Sequence, residues 1–125
     1  MKALSIIQPW AWLIVSGHKD IENRNWPTRF RGPVLIHAGK KLDVESLNYV
    51  HGYPNQPREF ERGGIVGIAE IVDCVTGSNS PWWSGPYGFV IRNARPLPFV
   101  PMRGALGFFD VPDHIKAALN PEVPR

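Results

Sequence analysis

Gly64-Ile65-Val66-Gly67-Ile68-Ala69-Glu70-Ile71-Val72-Asp73-Cys74-Val75 decides the fold. The run is β-branched, carries no proline, and is long enough to cross a sheet or bend around a barrel, with Gly67 as the candidate kink. Working outward, thirteen prolines and twelve glycines cut the rest of the chain into short pieces. The longest uninterrupted helical pattern is only about two turns. Ala3 to Ile7 reads as an opening strand. Pro9 then starts a short helix with Trp10, Leu13 and Ile14 on one face and Gly17 as its stop. From Asp20 to Trp26 the residue types alternate, which puts Glu22, Arg24 and Trp26 on one side of a strand.

Pro33 to Ala38 is an apolar strand containing His37. Asp43 can cap a helix running to about Val50, and Gly52 to Arg62 is a polar, exposed loop. Beyond the deciding strand, Thr76 to Pro86 is a loop bearing Trp82 and Trp83. Gly88 to Arg92 and Ala105 to Val111 read as two further strands, joined by a connection spaced by Pro96, Pro98 and Pro101. Pro112 opens a last helix to about Leu119, and Pro121 and Pro124 suggest a frayed tail. Short strands at regular spacing, with helices at two connections, predict a mixed α+β, mainly β fold built as a closed or nearly closed barrel. One domain over residues 1–119 and a tail over 120–125 is the expected organisation.

The 125 residues include 14 Lys and Arg against 11 Asp and Glu, a formal charge of +3, and 43% of them are apolar. A chain of this size buries a core without disulfide staples. Its charge permits a polyanionic partner but does not by itself argue for nucleic acid. The single Cys74 excludes an internal disulfide and any multi-thiolate metal site. His18, His51 and His114 are scattered without a ligand spacing, so neither a metal nor another cofactor is expected. Lys2 followed by apolar residues to Val15 imitates a signal peptide, but Gln8 and Pro9 interrupt it and no small-residue cleavage site follows. The segment therefore reads as core, nothing reaches the roughly 20 apolar residues of a membrane span, and a cytoplasmic location is the expectation.

Functional side chains crowd into Gly17-His18-Lys19-Asp20-Ile21-Glu22-Asn23-Arg24, followed by Trp26, Arg29 and Arg31. Lys19 or Arg24 can meet a phosphate, Glu22 can accept from a base N–H, and Trp26 can stack. A solvated strand with a surface salt bridge is the competing reading of the same residues. Glu70 either turns inward, where Lys19 or Arg24 would have to partner it, or faces water at a strand edge. His37 follows Leu35 on one face and reads as a hydrogen-bonded core histidine. Trp82 and Trp83 either plug the barrel or offer a stacking face. Arg62-Gly63-Gly64 lacks the spacing of a phosphate loop.

Leu4-Ser5-Ile6-Ile7-Gln8-Pro9-Trp10-Ala11, then Gly17-x-Lys19-x-x-Glu22-x-Arg24-x-Trp26, Arg31-Gly32 and Ile36-His37-Ala38, resembles the ASCH domain family of the PUA-like superfamily. The likeness continues through Gly64 to Ile71 and through Gly104-Ala105-Leu106-Gly107-Phe108-Phe109. It implies a small PUA-like β-barrel with short flanking helices and a cleft, lined by Lys19, Glu22 and Arg24, of a kind associated with RNA or modified nucleosides. Some ASCH proteins resemble amidohydrolases that deacetylate N4-acetylcytidine with a lysine and a threonine three residues apart. Here Lys19 is present, but Glu22 stands where that threonine would be, a departure from the nucleophilic mechanism. Other members look like nucleic-acid binders, some with nuclease-like activity.

The leading expectation is thus an RNA or modified-nucleoside binder, using Lys19, Glu22, Arg24, Trp26, Glu70, Trp82 and Trp83. The first alternative is an amidohydrolase or ribonuclease-like hydrolase in which Lys19 orients the substrate and Glu22 activates water. A protein-interaction module using the tryptophan loop is the second.

Overall fold

The computed structural model of the protein describes residues 1–119; the expected 120–125 tail lies outside the described residues. The elements follow in the order β1 (Lys2–Gln8), α1 (Trp10–Val15), β2 (Ile21–Arg24), β3 (Gly32–Leu42), a 3-10 helix (Val44–Val50), β4 (Gly64–Val75), β5 (Tyr87–Pro101), β6 (Phe108–Asp110) and α2 (Asp113–Leu119). All six strands form one sheet in the order β2-β5-β4-β3-β1-β6. β1 and β3 run parallel, and every other pairing is antiparallel.

The sheet does not close into the expected barrel. β2 and β6 are its two edges, and neither pairs with the other. They have four and three residues, and Pro27, just past β2, has no N–H to offer a ladder. Side chains from the two ends of the sheet meet instead. Phe108 of β6 lies 5.7 Å from Trp26, beyond β2, and 6.0 Å from Phe89 of β5.

The chain between Gly88 and Val111 also departs from expectation. The three prolines lie inside one long strand, β5, and the final strand shrinks to Phe108–Asp110. β2 pairs only with Tyr87 to Val90, so the later, proline-bearing half of β5 has β4 on one side and no strand on the other. Missing N–H groups are tolerated on such an open side.

Side-chain alternation puts a hydrophobic cluster on each face of the sheet. Leu4, Val34, Ile36, Ile71 and Phe89 pack with α1 on one face, while Ala3, Leu35, Ile65 and Leu97 pack with α2 on the other. Gly67 matters for close approach: a Cβ there would sit 2.6 Å from the Arg95 carbonyl oxygen and collide with Val15 of α1. His37 is buried as expected, with Nε2 2.7 Å from the Met102 carbonyl and Nδ1 2.9 Å from the Ser5 hydroxyl. No helix among the described residues is long and apolar enough to cross a membrane.

Candidate functional site

The site begins where α1 ends. Gly17 adopts a left-handed φ of +82°, and the N–H groups of His18 and Lys19 both donate to the Leu13 carbonyl at 2.9 Å. This tight cap turns Lys19 back under the helix. Its side chain is only 5% exposed; the ammonium donates to the Ile21 carbonyl and lies 3.4 Å from Glu22 Oε1 and 5.6 Å from the Trp10 ring centre. Burial pulls the Lys19 pKa below the ordinary lysine value; Glu22 opposes that shift and Arg24 adds to it.

Glu22 and Arg24 are two apart on β2 and share a face, as the alternation predicts. Arg24 donates from Nε to Glu22 Oε2 at 3.0 Å and from Nη2 to the Ser5 carbonyl of β1 at 2.8 Å. Glu22 is 7% exposed, and each of its oxygens faces a cation. The three side chains carry a formal net charge of +1, and Oε1, which meets only Lys19, retains a lone pair for a further donor.

These polar groups sit in a cleft of about 820 Å³ whose wall is aromatic. Trp10 lies 5.2 Å from Tyr49 and 6.3 Å from Trp82, and Tyr49 lies 6.3 Å from Trp82. Asp43 caps the 3-10 helix by accepting from the Ser46 N–H at 3.3 Å and the Ser46 hydroxyl at 2.6 Å. The Ser46 hydroxyl, followed by a hydrogen bond from Trp10, holds the Asp43 carboxyl below its usual pKa.

The tryptophan loop is held from β2. Asn23 Nδ2 donates to the Trp82 carbonyl at 2.9 Å, while Asn23 Oδ1 accepts from the N–H groups of Ser84 at 2.9 Å and Gly85 at 3.1 Å. Asp20 accepts from the Ser80 hydroxyl, which in turn accepts from the Trp82 N–H. Trp83 also borders the cleft, and its ring lies so close over Gly85 and Gly88 that a Cβ on either would come within 3 Å of it.

Five of the residues singled out in the sequence, Lys19, Glu22, Arg24, Trp82 and Trp83, thus border one cleft. Two do not. Trp26 follows the end of β2, so the strand alternation no longer governs it; it packs edge-on against Phe89 at 5.2 Å, under the Arg24 guanidinium. Glu70 partners neither Lys19 nor Arg24. On β4 it sits opposite Arg92 of β5 and accepts from Asn93 Nδ2 at 2.9 Å, away from the cleft. Sequence reasoning missed Trp10, Tyr49 and Asn23. Asn23 lies inside the motif, where its position beside Glu22 was the available signal; Trp10 was assigned to a packing face, and nothing in the sequence pairs it with Tyr49.

The ASCH domain family model matches residues 4–88, two thirds of the chain, including Lys19, Glu22, Arg24 and the tryptophan loop. The chain belongs to the ASCH domain family. This ASCH domain is 32% identical over 111 residues to human Activating signal cointegrator 1, a match covering 75% of the chain and 19% of that protein. The mouse protein of the same name is 30% identical over 82 residues, covering 58% of the chain and 14% of the relative. The chain thus spans less than a fifth of the length of either. Among solved structures, the ASCH protein of Zymomonas mobilis superimposes with a TM-score of 0.58 at 14% identity, over 94% of this chain and 92% of that one. A mutant of the same protein gives 0.62 at 14% identity, over 94% of both chains. At that identity the likeness speaks for the fold.

Proposed function

We propose that this ASCH domain binds RNA or a modified nucleoside by taking one nucleobase into the cleft between Trp10, Tyr49 and Trp82. The carrying observation is the Lys19-Glu22-Arg24 set at the base of an aromatic wall. A nucleobase has a π face and an edge of N–H donors and carbonyl acceptors. Rings supply sequence-tolerant stacking, while Glu22 can accept from an amino or imino group and Lys19 can donate to a carbonyl. With both oxygens already oriented by cations, Glu22 is a fixed acceptor rather than a mobile one. The reading calls on no cofactor or metal.

The test is a titration of the purified chain with RNA and with individual unmodified and modified nucleosides, followed by tryptophan fluorescence and by mass spectrometry of the mixture. Saturable quenching without a new product supports the binder. The absence of any saturable change with every ligand would overturn it.

One observation favours the hydrolytic alternative. A buried lysine with a lowered pKa is suited to proton transfer as well as to hydrogen bonding. In that reading water gives a proton to Glu22 and attacks the acyl carbon of an acylated base or the phosphorus of a phosphodiester, the C–N or P–O bond breaks, and Lys19 gives a proton to the departing nitrogen or oxygen. A mass-shifted product that disappears in both Lys19→Ala and Glu22→Ala would establish it.

A further inference from the structure

A second cavity, of about 290 Å³, adjoins the cleft and shares Ser5, Ile7 and Arg24 with it. We propose that this groove is a phosphate subsite, so that the ligand is a nucleotide of an RNA strand, its base in the cleft and its phosphate between Arg24, Lys40 and Lys41. This inference rests on the reading of the cleft as a nucleobase site.

Three observations carry it. The first is the hydrogen-bonding state of Arg24, which stands in the wall between the two cavities. Its Nε and Nη2 are spent on Glu22 and Ser5, whereas Nη1 has no acceptor among the described residues. A guanidinium fixed on one side and unsatisfied on the other is prepared for an incoming oxyanion.

The second is the state of the lysines. Lys40 and Lys41 follow one another on β3, both are exposed, and among the described residues neither ammonium meets a carboxylate. Two other surface cations do have carboxylate partners: Lys2 lies 2.9 Å from Asp110, and Arg31 lies 3.7 Å from Asp73. No Asp or Glu lines the groove. A chain with a net charge of only +3 therefore places two lysines without a carboxylate partner, and the outward side of the Glu22-paired Arg24, beside its aromatic cleft.

The third is Leu106, which forms part of the opposite wall and is 99% exposed. Held in the turn before Gly107, which has a φ of +64°, it offers an apolar surface next to the cations. A ribose or a neighbouring base has a face to match. A phosphate with no sugar or base would leave that leucine in water.

The experiment compares the parent chain with Lys40→Gln/Lys41→Gln and with Trp82→Ala. Each is titrated with a fluorescein-labelled, single-stranded, mixed-sequence 12-nucleotide RNA across a salt series, and with adenosine, cytidine, guanosine and uridine. The lysine variant is expected to bind the RNA several-fold more weakly, with the slope of log K against log salt reduced by about 0.7 for each phosphate no longer neutralised. Its response to the nucleosides should match that of the parent. Trp82→Ala should weaken both kinds of ligand and leave the slope unchanged.

An unchanged slope in the lysine variant, with RNA binding still weakened by Trp82→Ala, overturns the phosphate subsite and leaves the base-binding reading standing. A reduced slope in the lysine variant, with Trp82→Ala binding RNA like the parent, overturns both: the lysines would then serve a track unconnected to the cleft. Both substituted positions of the lysine variant are exposed, so a folding defect is not expected, and its melting temperature checks that.

Discussion

Arg24 Nε donates to Oε2 of Glu22 at 3.0 Å, and the same guanidinium reaches the Ser5 carbonyl, so a single side chain ties edge strand β2 to β1. Stability and recognition are coupled at this point. Arg24→Ala leaves the Glu22 carboxylate, 7% exposed, with Lys19 as its remaining cation. The expected loss is about 3 kcal/mol, the low end for a broken buried pair because the guanidinium is partly exposed. Urea denaturation measures it. Arg24→Lys should recover only part of the loss, since an ammonium cannot bond Glu22 and Ser5 with the same planar fork.

Asn23 is a positioning residue for Trp82. Asn23→Ala removes one donor to the Trp82 carbonyl and the shared acceptor of two loop N–H groups. The expected cost is about 1–2 kcal/mol of stability, because part of the released backbone regains water. Affinity for RNA should fall in parallel while the salt slope stays put, as the tryptophan wall loses its fixed orientation and every phosphate keeps its cation. Asn23→Asp keeps the acceptor and loses the donor, so it should hold the loop better than alanine. If Asn23→Ala and Asn23→Asp weaken binding equally, the acceptor bonds do not set the wall.

Local patterns exposed much of this in the sequence, and long-range pairings did not. The Gly17 stop, the Asp43 cap and the alternation that puts Glu22 beside Arg24 each depend on residues within a few positions of one another, and all three are present in the structure. The alternation failed at Trp26 because β2 ends at Arg24, and strand ends depend on what the neighbouring strand offers. The open sheet was hidden for the same reason. Closure depends on whether β2 and β6 reach each other, and rings such as Phe108 and Trp26 fill that gap without a backbone signature. Tyr49 joins the cleft by packing against Trp10 at 5.2 Å, a pairing across more than thirty residues.

His37 should impose a pH dependence on stability. The Met102 carbonyl can only accept, so Nε2 carries the proton and the neutral ring's Nδ1 accepts from the Ser5 hydroxyl. Burial lowers the pKa of His37 below the ordinary 6.5, with the Met102 hydrogen bond opposing part of the shift. On acidification the unfolded chain therefore takes up a proton first. The contribution of the neutral ring is fully present above about pH 6.5 and is lost as the pH falls below that, until the folded-state pKa is passed. Asp43 and Asp110 have carboxyl pKa values held below 3.8 and lose their contributions only at lower pH. Urea denaturation from pH 7.5 to 5 should show the decline, and His37→Gln should flatten it. Equal slopes in the two proteins would remove this role.

Trp26 and Trp82 separate packing from recognition. Trp26 is wedged between Phe89 and Phe108 where the two ends of the sheet meet, and Trp26→Ala opens that seam. For a half-buried ring the expected loss is about 3 kcal/mol of stability, at the low end for large aromatic truncations. Any protein that remains folded should bind RNA like the parent, because the indole does not border the cleft. Trp82 is the converse case. Its ring completes the wall with Trp10 and Tyr49, and Trp82→Ala should remove about 1–3 kcal/mol of binding, one stacked base, with little change in melting temperature. Ligand should alter fluorescence in the parent and in folded Trp26 variants, and less so once Trp82 is gone. If Trp82→Ala melts early and Trp26→Ala binds weakly while fully folded, the assignments are reversed, and the base stacks on the seam between the sheet ends rather than in the cleft.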